Sequence, residues 1–160
     1  MKKYILILGI LALLIGGVWI YSSQKSKNLV TDSSQEFTDK GFTIAQGGKA
    51  ISGQYITDTD NLNLGLKVYS NASIISEKSA AETININGVK ATAATYKTDD
   101  SREKVENFYK TQIGSEAIVV EAIDGTITYR VIKAKTNIGS IVNVWAEDAV
   151  TYFTIIKPLK

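Results

Sequence analysis

The stretch TDDSREKVENFYKTQIG, residues 98–114, interrupts a chain that otherwise reads as strands, and it decides the fold class. Val105, Phe108, Tyr109 and Ile113 fall at i, i+3, i+4 and i+8, which lays one apolar stripe along a helix. Asp100 stands at the expected cap, with Glu103 three residues on as the reciprocal partner of a capping box. Asp99 and Asp100 are adjacent at a helix start, so they read as capping groups and not as two carboxyls facing each other across a cleft. Gly114 stands where a helix stops. The stripe has to be buried, and Ala91, Ala93 and Ala94 in the preceding segment offer small residues beside which Phe108 and Tyr109 fit.

Around this helix the pattern is one of strands. TININGVKATAATY contains Asn87-Gly88, a pair suited to a type I′ hairpin turn because both central positions take positive φ. EAIVVEAIDGTITYRVIKAK repeats the device at Asp124-Gly125, and NIGSIVNVWAEDAVTYFTIIK supplies two further runs. Ile127, Tyr129 and Val131 lie on one face, and Val150, Tyr152 and Ile156 alternate likewise. FTIAQ, Gly47-Gly48 and AISGQYI suggest a short hairpin, and DTDNLNLG a loop. The expected architecture is α+β: an antiparallel sheet of about five or six strands with one helix packed on one face, over residues 41–160.

GLKVYSNASIISE followed by ATYKTDDSREKVENFYK resembles a family of small, uncharacterised extracytoplasmic domains. The family pattern runs Val-Tyr-(Pro-Gly)-Ala, then Thr-Asp, then Val-x-x-Phe-Tyr. Val68, Tyr69 and Ala72 match its first part, and Thr98, Asp99, Val105, Phe108 and Tyr109 the rest, while Ser70 and Asn71 replace the proline and glycine. The resemblance implies the fold and brings no known chemistry.

The chain begins MKKYILILGILALLIGGVWIYSSQ. Residues 4–21 are 18 uncharged residues, about 27 Å as a helix against a hydrocarbon core of about 30 Å. Tyr4, Trp19 and Tyr21 sit at the two ends, the placing of membrane-interface aromatics. V-W-I-Y-S-S-Q is a poor cleavage site, and Lys2 and Lys3 favour a cytoplasmic N-terminus. The expectation is a single-pass signal-anchor over residues 1–21, a flexible polar linker over 22–40 and a domain outside the cytoplasm. The alternative is a cleaved signal peptide and a secreted domain.

Of 18 Lys and Arg, only Lys2 and Lys3 fall in the first 21 residues, and all 16 acids lie beyond. The remainder is therefore balanced at 16 of each sign, and no basic stripe points to nucleic acid. Without cysteine there is no disulfide or thiolate, and without histidine the commonest general base is missing. Asp58, Asp60, Asn61 and Asn63 are oxygen-rich, but Leu62 interrupts calcium-loop spacing, so Asx turns are the better account. Tyr69, Tyr96, Tyr109, Tyr129 and Tyr152, with Trp145, read as core before they read as a ligand groove. Asn71-Ala72-Ser73 is a glycosylation sequon. No catalytic, cofactor or metal residue is nominated. The expected function is a non-enzymatic binding or interaction module whose partners are the bilayer and a protein. The alternative is an accessory subunit of a membrane or surface assembly, joined through Ala12/Gly16 packing and exposed edge strands.

Overall fold

The computed structural model describes residues 33–159 except 47–48, 57, 60, 77–79, 87–88, 125–126 and 136–138. The expected anchor, with Tyr4, Trp19 and Tyr21, lies outside the described residues. No helix of the described residues is long and apolar enough to cross a membrane.

The chain is α+β. Its strands are β1 Ser33–Phe37, β2 Gly41–Gln46, β3 Lys49–Tyr55, β4 Ser73–Ile74, β5 Ala80–Ile86, β6 Val89–Thr98, β7 Ala117–Asp124, β8 Ile127–Ala134, β9 Ile141–Glu147 and β10 Val150–Pro158. Helix α1, Arg102–Ile113, follows β6 and runs into a single 3-10 turn, Gly114–Glu116. The sheet order is β1-β2-β3-β5-β6-β10-β9-β8-β7, and β4 pairs with β6 beyond the end of β5. Every pairing is antiparallel.

The sheet has ten strands among the described residues, more than the five or six expected. Part of the excess was hidden in SSQEF, which has no apolar alternation and falls inside the stretch expected to be linker. It nevertheless pairs with β2 over five positions. β4, only two residues long, is too short to leave a pattern. The hairpins appear where the glycine pairs placed them: Gln46 faces Lys49, and Ile86 faces Val89. The third closes one residue late, with Asp124 opposite Ile127, so its connection is 125–126 and not Asp124-Gly125. A fourth hairpin joins Glu147 to Val150, with Asp148 at φ 54°. Aspartate is among the few non-glycine residues that tolerate that region.

The helix begins one residue later than the capping-box reading had it. Ser101, in extended conformation, is the N-cap; its side chain accepts from the Lys104 N–H at 3.4 Å. Its carbonyl accepts from Val105 N. Gly114 ends the helix at φ 84°, its N–H donating to the Lys110 carbonyl.

Side chains are buried on both faces of the sheet. On one face α1 lies over β7, β8 and β9. Val105 and Tyr109 pack there with Leu64, Ala94, Tyr96, Ile132, Val142, Val144, Phe153 and Ile155. Phe108 and Ile113 flank this core, so the whole stripe is used. On the other face a second core is built from Phe42, Ile51, Ile84, Ala91, Ala93, Tyr129, Val131, Trp145 and Ile156, all of them strand residues. Register shifts fall at Ser52/Gln54 and Ala81/Ile84, and such irregularities bend a strand and increase the right-handed twist by which a sheet curls over one of its own faces. Ala91 and Ala93 are thus corrected to the face away from the helix, and only Ala94 lies under it. Successive strand residues point to opposite faces, which separates Ala93 from Ala94.

Candidate functional site

The densest polar constellation is where the segment between β3 and β5 is clasped to α1. Leu64, 1% exposed, plugs that segment into the helix-side core, and its carbonyl accepts from Ser140 Oγ at 2.6 Å. Further along, Gln112 holds Lys67 at both backbone groups, accepting from its N–H at 2.8 Å and donating to its carbonyl at 2.9 Å. The Tyr109 hydroxyl accepts from Tyr69 N at 3.2 Å. A turn then closes from Tyr69 O to Ala72 N at 3.1 Å, with Ser70 and Asn71 at its corners.

Asp100 is the hub. One carboxylate oxygen accepts from the Tyr69 hydroxyl and from Asn71 Nδ2, each at 3.0 Å; the other takes Lys104 Nζ at 2.8 Å. These bonds, Lys104's first, hold the Asp100 carboxyl down at about 2, below its ordinary 3.8. Lys104 is pushed up in return. Burial, then the bond to Asp100, raises the Tyr69 phenol, and burial raises that of Tyr109. Each group ends with its charge or proton more firmly fixed, which suits a fastening and not proton transfer near neutral pH.

Six of the eight residues that carry the family resemblance converge here, while Val68 and Asp99 are exposed. Tyr69 meets Phe108 edge-on at 5.1 Å, Phe108 meets Tyr109 at 5.1 Å, and Ala72 packs against the same core as Val105. Thr98 accepts from Asp100 N at 3.2 Å. Asn71 is exposed, but its amide nitrogen, the atom a glycan would occupy, is the one donating to Asp100.

Other nominated residues do not converge. The sheet divides the aromatics: Tyr69, Tyr96 and Tyr109 lie on the helix side, Tyr129, Trp145 and Tyr152 on the other. Trp145 stands 5.6 Å from Tyr129 and stacks on Tyr152 at 5.5 Å, a cross-strand ladder and not a shared groove. In DTDNLNLG, Asn63 Oδ1 accepts from Gly65 N, which is an Asx turn. Asp60 lies outside the described residues. Among those described, no group of three or more His, Cys, Asp or Glu is placed to hold a metal ion.

Two features escaped the sequence reading. One is the place of β7, read as a strand but not as the one that ends the sheet order, where Val120 is 45% and Ile123 69% exposed. Its acid, Glu121, is turned sideways to Arg130 on β8 at 3.1 Å. The other is Asn143, fully buried in the apolar run VNVW, where its isolation among hydrophobic neighbours was the available signal. Comparison with protein-family models, curated proteins and solved structures finds no match to this chain.

Proposed function

We propose that the protein is a membrane-anchored extracytoplasmic interaction module that takes a protein partner along β7. The observation that carries this reading is the edge position of that strand. Among the described residues its eight residues of backbone, about 26 Å at about 3.3 Å per residue, are paired on one side only, beside exposed Val120 and Ile123. Natural edges are commonly blunted by charge, proline or short length. Here the strand is long and has no proline, and its central Glu121 is engaged with Arg130. An extended partner segment gains backbone hydrogen bonds from such an edge and specificity from alternate side chains. The clasp at Asp100 and Gln112 fits a supporting role, fixing α1 over β7–β9.

The anchor half of the reading rests on residues 4–21 and their terminal aromatics. It is tested by carbonate washing: the full-length chain stays in the membrane fraction. A mature N-terminus near residue 23 refutes the anchor and favours a secreted domain. The edge half is tested by a photocrosslinking residue at position 123, with one at position 89 as control, because Val89 is also exposed at 51%. A discrete protein adduct from 123 alone supports the edge; equal labelling, or none, refutes it. A stoichiometric integral-membrane adduct favours the accessory-subunit reading.

A further inference from the structure

The strand-only face carries three neutral polar side chains in one cross-strand row. Thr95 on β6 faces Thr154 on β10, and Thr154 faces Asn143 on β9. Thr95 is 1% exposed, and Thr154 and Asn143 are 0%. The two threonine hydroxyls are bonded to each other at 2.9 Å. That bond uses one of two hydroxyl protons, so one remains to be donated. Asn143 has neither its Oδ1 nor its Nδ2 bonded to any protein group, and Trp145 Nε1, two residues along on the same face, is likewise unbonded. Exchanging the amide oxygen and nitrogen of Asn143 changes nothing, since both atoms are in the same position.

Buried polar groups are bonded with few exceptions, and the partner is often an internal water making two to four bonds. A carboxamide beside a hydroxyl, directly opposite it across a strand pair yet out of direct bonding reach, is the spacing a water bridges. The row contains no formal charge, which disfavours an ion. It offers one acceptor and three kinds of donor: Asn143 Oδ1, Asn143 Nδ2, a threonine hydroxyl and the indole N–H. Water, which both donates and accepts, matches that set.

We propose that the strand-only face contains a built internal water site in which ordered water bridges Thr154 to Asn143 and bonds Trp145 Nε1. The site is part of the folded core and extends the Thr95–Thr154 bond into a polar seam across β6, β10 and β9. It accounts for an asparagine in the middle of VNVW.

The test uses the full-length chain in detergent micelles. In the unaltered protein, water-selective nuclear Overhauser spectra show cross-peaks at the Asn143 side-chain amide protons and the Trp145 indole proton, with the sign of water resident for longer than nanoseconds. Oxygen-17 relaxation dispersion, which hydroxyl-proton exchange does not affect, counts at least one fewer long-lived water in Asn143→Leu. The proposal is overturned if neither group shows a water cross-peak, or if the dispersion is the same in the folded variant and the parent. If Asn143→Leu does not fold, the cross-peaks in the unaltered chain decide alone.

Discussion

On one side of the sheet, Val105 and Tyr109 reach down from α1 onto Phe153, Val142 and Val144, and the polar groups of the clasp, Tyr69, Tyr109 and Asp100, are bonded at the rim. On the other side, strands alone supply Phe42, Ile84, Trp145 and Ile156, and polar side chains lie in the middle of the face. A helix layer brings its own apolar stripe and leaves its polar residues outside. A curling sheet can cover one face only with the side chains already alternating along its strands, so a polar residue in that alternation is carried inside with the rest. The helix side is thus sealed by a separate element and the other side by geometry. The two should fail in different ways.

The largest expected effect is on the helix side. Phe153 is fully buried, stacked on Tyr96 at 5.4 Å and 5.5 Å from Tyr109. Phe153→Ala leaves a cavity that a docked helix cannot wholly collapse into, at a cost of about 3–5 kcal/mol in urea unfolding. Loss of under 1 kcal/mol would show that α1 is not a fixed lid.

The strand-only side should be most sensitive to close approach. The Phe42 ring lies across Gly53, its direct partner on β3, and a Cβ at position 53 would come within 2.9 Å of that ring. At Gly41 an added Cβ would meet the Gly53 carbonyl. Gly53→Ala is expected to cost about 1–3 kcal/mol through overpacking. Phe42→Leu added to it should recover part of that loss, which a double-mutant cycle detects as coupling. Additive losses would mean the ring is not the obstacle.

The same contrast explains how much was legible in advance. The helix was, because Val105, Phe108, Tyr109 and Ile113 form a stripe that only a helix uses. Faces were legible where one side of a strand alternates, as at Tyr129 and Val131, but β10 buries Phe153 and Ile155 on one side and Ile156 on the other. A strand buried on both faces loses its alternation. The cap was misplaced by one residue because Asp100 and Ser101 are both good capping types. Asp100 instead bonds Tyr69 and Asn71, 31 and 29 residues away, and no local pattern reports partners at that distance. The hub at Asp100 was invisible because it is defined by neighbours on other elements, whereas Asn143 left a local signal, a lone amide in an apolar strand run, that shows its burial but not its neighbours.

A smaller effect separates fastening from sealing. Gln112→Ala removes both bonds to Lys67 on an exposed part of α1. Since exposed bonds exchange with water, the expected cost is about 0.5–1.5 kcal/mol. The sharper readout is local: amide exchange at Lys67 and Tyr69 speeds up while that of β9 and β10 is unchanged. Equal acceleration throughout would mean the clasp and the core open as one unit.

The smallest effect is the one that pH isolates. Asp100 has a folded-state pKa of about 2 against an ordinary 3.8, with the Lys104 bond the leading cause, then those from Asn71 and Tyr69. A depressed carboxyl adds stability that is fully present above the ordinary value and is lost as pH falls toward 2. The raised Lys104 stays charged throughout that window and adds no slope of its own. Asp100→Asn should therefore flatten the fall in melting temperature between about pH 4 and 2, while leaving the helix cap at Ser101 in place. The strand-only face has no ionisable side chain in its buried polar row, so Asn143→Leu should leave the acid slope unchanged. Equal flattening by both substitutions would break the distinction between a face fastened by charge at its rim and one held by neutral groups inside.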